Sequence, residues 1–382
     1  MSSQSVNPAK KQAENQATNE KATIVNVAVA VIHYKEQYLL GFRNAAQHQG
    51  NRYEFVGGKI DANESAEQAL IREVAEETGM AISGNTIVKL GRLHHDYGDK
   101  QVSLQVYITE LTTLQYEKYK YCQHGLEGQA LTWVNKDELL AGQYSLPAAN
   151  KTILKWLALP TQIAITYPLA HFNAHPNPEL AWLQYHQQNV APESWLYIRV
   201  KETCADSIAA RLIEARPDIH VIVPCAVDSQ PLDVKALPVA QEMAVNSQPI
   251  NQITDRIVAH HLTHQALMQC FNNNDEFVSS PLLSQDFPLI VSCHDATSID
   301  AANQLANTRL QQQLPPVIGA FLSPVLATQT HPDATPLGWE SWSALAQLAD
   351  MPIIGLGGLS PMMIDQALQY GGVSIAGIRQ FL

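Results

Sequence analysis

Basic charge is scarce in this chain. Its 382 residues carry 24 lysines and arginines against 36 aspartates and glutamates, a net charge of −12, and only 16% of positions are charged. A surface of that sign excludes broad, stable binding to nucleic acid, which needs a basic face. It leaves room for a nucleotide whose phosphates are held through a divalent cation. Cysteine is rare too: Cys122, Cys204, Cys225, Cys270 and Cys293 are odd in number, widely spaced and form no CxxC pair. That argues against a disulfide framework or zinc knuckle and fits a reducing cytoplasm. No apolar run reaches the ~18 residues of a membrane span, so no membrane partner is expected. The opening "MSSQSVNPAKKQAENQATNEKA", residues 1–22, lacks the apolar centre of a signal peptide and reads as a disordered polar tail.

What is present is a globular composition, 46% hydrophobic, long enough for two domains. "TIVNVAVAVIHY" and "QYLLGFR" predict two strands joined by a turn at Lys35–Glu36. "YEFV" predicts a short strand leading to a turn at Gly57–Gly58, followed by a helix from about Ser65 to Thr78. Ser65 and Gln68 make a capping box, and Gly79 is a C-terminal stop. Strands near 86–95 and 102–110, the strand "ALTWV", a short helix near 136–141 and a last helix from about Pro147 complete a mixed α+β domain over 23–160. From 161 to 382 the rhythm changes. "QIAIT", "WLYIRV", "HVIVPC", "RIVAHH", "PLIVSC", "VIGAFL", "PIIGLGG" and "VSIAGI" alternate with helical stretches, which predicts a parallel TIM-type (β/α)8 barrel lacking its last helix. The segments 228–254 and 272–286 read as loops.

The helix over 65–78 raises a problem of charge. Glu73, Glu76 and Glu77 share little more than one turn, where like charges repel. Arg72 is placed to pair Glu76 one turn on, and Ala69, Leu70 and Val74 form the apolar stripe. The remaining carboxylates read either as a solvated acidic face or as oxygen ligands for Mg²⁺ or Mn²⁺, with the Gly57 carbonyl free to approach the same ion. The spacing decides between them. Gly58, Glu64, Arg72, Glu73, Val74, Glu76, Glu77, Gly79 and Met80 fit G-x5-E-x7-R-E-U-x-E-E-x-G-U, where U is aliphatic. Chance would produce such a match on the order of once per billion starting points.

This pattern is the Nudix box, and residues 24–158 resemble the MutT-type 8-oxo-dGTP diphosphatases of the Nudix hydrolases. The resemblance implies an α/β/α sandwich on a mixed sheet. It implies that the Gly57 carbonyl, Glu73, Glu76, Glu77 and Glu127 bind metal, with Glu64 and Arg72 bracing the loop–helix–loop. It also implies that Asn150, in "LPAAN", reads an oxidised purine; a helix cap is the other reading of that residue. The activity implied is Mg²⁺-dependent hydrolysis of a nucleoside triphosphate to monophosphate and pyrophosphate, with attack at the β-phosphorus and Glu73 or Glu127 as base. Arg43 and Lys59 are candidates for phosphate contacts or plain surface cations. Val56 stands where the family usually has proline, and Phe42 and Lys100 stand where arginines reach substrate.

"FLSPVLATQTHPDATPLGWESW", "PIIGLGGLSP" and "VSIAGIRQF" resemble the last three βα units of thiamine phosphate synthases and TenI-type barrels. Gly357, Gly358, Ala376 and Gly377 suit a backbone phosphate cradle or ease a tight turn, and Arg199, Lys201, Ser323, Thr330 and His331 complete the candidate ligand site. Tyr197 replaces the synthase family's glutamine, Pro224–Cys225 replaces its Asn-Asp pair, and its later magnesium aspartate is absent near "HHLTHQAL". The barrel is therefore expected to bind a phosphorylated heterocycle, or to be a scaffold that has lost catalysis, with His331 or a Cys293–His294 pair as acid–base candidates. Three functions follow as expectations for a cytoplasmic enzyme, a homodimer among its possible states. They are nucleotide-pool sanitation, hydrolysis of a thiamine-related or damaged-nucleotide diphosphate, and a hydrolase regulated or dimerised by a non-catalytic barrel.

Overall fold

Strand β1 (Ile24–Tyr34) alternates between two cores, and that alternation sets the layers of the N-terminal half. Ala28, Ala30 and Ile32 face one way, into a cluster with Leu70, Val74 and Tyr119. Val29 and Val31 face the other, into a cluster with Leu139, Ile153 and Trp156. The computed structural model describes residues 24–46, 50–98, 100–199, 205–225, 255–272, 283–329 and 333–382. The expected tail over 1–22 and most of the two expected loops, along with Lys201, Thr330 and His331, lie outside the described residues.

β1 pairs antiparallel with β2 (Gln37–Arg43) around Lys35, which takes a left-handed φ of 52°. β3 (Arg52–Glu54) extends β2, and β4 (Val56–Lys59) pairs antiparallel with β1 in the register Val29↔Gly57. The expected turn at Gly57–Gly58 is therefore strand. Glycine is needed because β4 lies so close to β1: a Cβ on Gly57, at φ 151°, would sit 2.1 Å from the Ala28 carbonyl oxygen. Helix α1 (Ala66–Thr78) begins at Ser65 with the capping box to Gln68 and stops at Gly79, φ 74°. β5 (Ile87–Asp96) and β6 (Gln101–Glu110) form an antiparallel pair, and β6 runs parallel to β1. The sheet is thus mixed, in the order β3-β2-β1-β6-β5, with β7 (Ala130–Asn135) on β2.

Helix α2 (Thr113–Tyr119) was not expected between β6 and β7. It is short, Leu114 on it is 84% exposed, and no apolar stripe announces it; Thr112 and Gln115 cap it. α3 (Lys136–Leu140) and α4 (Asn150–Leu157) cover the second face of the sheet, α4 beginning three residues after the expected Pro147.

The second half closes into a barrel of parallel strands: β8 (Gln162–Ile165), β9 (Trp195–Tyr197), β10 (His220–Pro224), β11 (Ile257–Leu262), β12 (Leu289–Cys293), β13 (Val317–Leu322), β14 (Ile353–Leu356) and β15 (Ser374–Gly377). Around it run α5 (Pro178–Asn189), α6 (Ala205–Ala215), α7 (His264–Asn272), α8 (Ala296–Gln311), α9 (Gly338–Ala346) and α10 (Ile364–Gln369). Among the described residues no helix follows β15, and none anywhere is long and apolar enough to cross a membrane. Trp195, Tyr197, Ile222, Ala259, Ile290, Phe321 and Ile354 belong to the same apolar cluster as Val29, Ile153, Trp156 and Leu159, so one core runs from the sheet into the barrel.

Candidate active site

The acids of α1 are organised by one guanidinium. Arg72 donates to Glu64 from Nε and Nη2 (3.1 and 2.6 Å), to Glu73 and Glu76 from Nη1 (2.9 and 3.0 Å), and from Nη2 to the Lys59 carbonyl (3.0 Å). Glu64 also accepts from the Asp61 amide at 2.9 Å, so the loop before α1 is tied to the helix at two points. These bonds hold the Glu64 carboxyl below its ordinary range, Arg72 being the larger cause. The Glu73 carboxylate lies against the strand behind it, where a Cβ on Gly58 would come within 2.2 Å of its carbon. Gly58 is therefore glycine to make room for an acid.

Glu77 is the perturbed member. Burial, followed by the negative charges of Glu54, Glu73 and Glu127, pushes its carboxyl up to about 8, against the pull of a hydrogen bond from the Gly57 amide. Glu127 reaches this neighbourhood because its loop is stitched to the end of α1. Leu126 N and Gln129 Nε2 both donate to the Glu77 carbonyl (2.7 and 3.3 Å), and Gly125 has no space for a Cβ, which would fall 2.3 Å from that oxygen. The fourth acid, Glu54 on β3, is raised by burial and held back by its ion pair with Arg43.

Four carboxylates that raise one of their number are the hard oxygen donors that a small dication takes, so the residues fit Mg²⁺ or Mn²⁺. Among the described residues no three such side chains are already gathered into a cage, and Arg72 holds Glu73 and Glu76.

Asn150 sits at the first position of α4, buried, with Ala149 in the cap position and no side-chain capping bond there. Helix capping therefore does not account for it: its backbone N–H donates to the Pro147 carbonyl at 3.0 Å, and its side-chain amide has no hydrogen-bond partner among the described residues. Tyr97, just beyond β5, lies beside the Ala149 backbone and within the field of Arg43, Arg52 and Glu54. The wall from Asn150 to the acids thus runs through Tyr97 and the Arg43–Glu54 pair. Arg43 is engaged with Glu54, Lys59 is exposed, and Lys100 is half-buried with its carbonyl accepting from Tyr97 N at 2.9 Å. Glu54 and Tyr97 were missed by sequence reasoning. The signal for Glu54 was there, since alternation puts Arg52 and Glu54 on one face of the strand that precedes Gly57.

At the C-terminal mouth of the barrel, Tyr197 Oη and Ser292 Oγ bond the two nitrogens of buried His261 (2.7 and 2.8 Å). The backbone amide of half-buried Arg199 donates to Thr166 Oγ1 at 2.9 Å, while its charge helps to hold His261 neutral. The Cys293–His294 pair is not a pair. Cys293 Sγ donates to the Ser298 carbonyl, and burial pushes its thiol up to about 12, whereas His294 Nδ1 bonds the Ser323 carbonyl (2.8 Å). Gly357 and Gly358 have left-handed φ values of 98° and 71°, and the space of their Cβ atoms is filled by Pro324 and by Leu326 with Ala327. Close packing of the 324–327 segment therefore explains these glycines; their amides are what a phosphate would use. Gly377 has the Phe381 ring 2.5 Å from its Cβ position, and Ala376 lies in the interior cluster.

An acidic helix laid against a glycine strand, on a mixed sheet with helices on both faces, defines a hydrolase of phosphate anhydrides. Residues 27–156 match the family model described as NUDIX domain, and residues 281–381 match that described as thiamine monophosphate synthase. The 8-oxo-dGTP diphosphatase of Proteus vulgaris is 34% identical over 103 residues, 26% of this chain and 90% of the relative. That of Escherichia coli is 28% identical over 131 residues, 34% of this chain and 93% of the relative. The CTP pyrophosphohydrolase of Escherichia coli is 30% identical over 132 residues, 35% of this chain and 90% of the relative. The chain belongs to the Nudix hydrolases, of the MutT or 8-oxo-dGTP diphosphatase-like type, joined in one polypeptide to a thiamine-synthase-type barrel.

Proposed function

We propose that the N-terminal half hydrolyses 8-oxo-dGTP to 8-oxo-dGMP and pyrophosphate, removing an oxidised precursor before replication can use it. The observation that carries the choice of base is Asn150: on a largely buried residue, a side-chain amide that makes no protein hydrogen bond and still reaches the surface, offering donor and acceptor together to a purine edge. Glu73, Glu76, Glu77, Glu127 and the Gly57 carbonyl would hold Mg²⁺, which when bound neutralises phosphate oxygens and sharpens a water as nucleophile. The protein's own part is positioning and proton transfer. Arg72 fixes Glu64, Glu73 and Glu76 on the helix, Asn150 holds the base, and Glu73 or Glu127 takes the proton of the water that attacks the β-phosphorus.

Steady-state kinetics of the full chain with 8-oxo-dGTP, dGTP, CTP and thiamine diphosphate test this. CTP is included because one relative's name carries it, and thiamine diphosphate because of the barrel. A kcat/KM for 8-oxo-dGTP well above those of the other three is expected; equal turnover of dGTP ends the sanitation reading. Glu77→Gln removes a charged ligand and should abolish turnover of every substrate, and activity near wild type would remove Glu77 from the metal site. For the barrel we propose phosphorylated-ligand binding at the ends of β14 and β15 without synthase activity. Calorimetric titration with thiamine phosphate and inorganic phosphate checks it, and no heat from either counts against it.

A further inference from the structure

Asn150 opens a helix whose other end belongs to the barrel. Trp156, in the last turn of α4, is 3% exposed, and its indole Nε1 donates to the Val317 carbonyl at the start of β13 (3.1 Å). Next to it the barrel also grips β5. Arg92 N donates to the Asp350 carbonyl (3.2 Å), the Arg92 guanidinium takes both Asp350 carboxylate oxygens (3.0 and 3.3 Å), and Lys89 Nζ donates to the Gln347 carbonyl (2.7 Å).

The strand is shaped for this contact. Its register shifts between Lys89 and Gly91, and a Cβ on Gly91 would stand 2.6 Å from the Asp350 carbonyl oxygen and 2.9 Å from the Trp156 ring. An isolated glycine in a strand marks close approach of another backbone, and here that backbone is the barrel's. Past its bulge β5 leads to Tyr97, whose phenol lies beside the backbone of Ala149, the residue before Asn150. Both supports of Asn150, α4 and Tyr97, are therefore anchored on the same edge of the barrel.

We infer that the barrel positions the base-reading end of the nucleotide site, with Gly91, Arg92 and Trp156 as positioning residues that touch no substrate. The inference rests on the reading that Asn150 meets the base. A helix pinned at one end transmits a small displacement at the pin to the residue at the other, and sub-ångström error in a recognition group lowers affinity more than it slows chemistry elsewhere. The barrel is thus part of the hydrolase's selectivity, whatever the barrel itself binds.

The test uses the full chain carrying Gly91→Ala, Arg92→Ala or Trp156→Phe, the last keeping an aromatic ring while losing the bond to Val317. For each, kcat, KM, half-saturating Mg²⁺ and Tm are measured, together with the ratio of kcat/KM for 8-oxo-dGTP over dGTP. KM for 8-oxo-dGTP should rise roughly three- to tenfold and the ratio fall in step, while kcat and the Mg²⁺ requirement stay at wild-type values. A lowered Tm with unchanged KM and ratio would overturn the inference, leaving the contact as a stabiliser only. If Gly91→Ala does not fold, the other two variants decide by the same criteria. A wild-type enzyme without preference for 8-oxo-dGTP defeats the substrate proposal alone; KM for its preferred nucleotide then decides the inference.

Discussion

Arg72 gives five hydrogen bonds from one planar fork, to three carboxylates and a backbone carbonyl. Lysine offers a single compact cation and cannot reproduce that geometry. Arg72→Lys should therefore lower kcat by about 10²-fold through misplaced Glu73 and Glu76, with nucleotide KM little changed. Stopped assays of pyrophosphate release would show it, and wild-type kcat in the lysine variant would refute the bracing role. Glu54 calls for a different measurement, because its carboxylate faces Glu77 and is held by Arg43. Removing its charge with Glu54→Gln takes away one of the negative neighbours that favour a dication at Glu77. Half-saturating Mg²⁺ should rise roughly tenfold, with kcat at saturating Mg²⁺ largely kept. An unchanged Mg²⁺ titration would show that Glu54 serves Arg43 alone.

At the scale of elements, the two glycines of β4 do different things. A Cβ on Gly57 would meet the β1 backbone, 2.1 Å from the Ala28 carbonyl oxygen, whereas a Cβ on Gly58 would meet only the Glu73 side chain. Gly57→Ala should then cost on the order of 1–3 kcal/mol of stability, read as a fall in Tm or urea midpoint. Gly58→Ala should keep most of the stability and lose activity by displacing Glu73. Equal effects of the two on both readouts would contradict this division. The strands and α1 were legible in the sequence because each buries a periodic face: Ala28, Ala30 and Ile32 on β1, and Ala69, Leu70 and Val74 on α1. The box acids were legible because their spacing is fixed by one helix. What pattern could not show was contact between distant elements: Arg43 against Glu54, Tyr97 against Ala149, and Gly91 against Asp350. Even Gly57, read as a turn, is glycine because of a neighbouring strand far off in sequence. α2 escaped because capping, with little burial, sustains it.

One apolar cluster spans the sheet and the barrel, yet the barrel also buries neutral histidines whose ionisation opposes folding. His186 is fully buried; its Nδ1 faces the Trp182 carbonyl at 2.7 Å and its Nε2 accepts from Tyr167 N at 3.0 Å. One nitrogen must carry the hydrogen and the other must stay bare, so a second proton would face an N–H donor. Burial holds His186 down to about 4 and His261 to about 3, and burial together with the Arg309 charge holds His260 to about 4. In the unfolded chain all three titrate near the ordinary ~6.5. Between that value and the folded values the unfolded chain binds protons that the folded one refuses, so stability is full above about pH 6.5 and is lost as pH falls toward 4. Each group contributes on the order of 3 kcal/mol across the window. Glu77, whose raised carboxyl holds a proton in the folded chain and releases it on unfolding over the same range, opposes one of the three, so urea unfolding of the metal-free protein from pH 7.5 to 4.5 should show a stability that falls with a slope approaching two protons. Replacing His186 with glutamine should reduce the slope by about one proton while lowering stability at pH 7.5, because the buried Tyr167 and Trp182 backbone groups then lose well-placed partners. A stability curve flat from pH 7 to 5 would mean that these histidines reach water in the folded barrel.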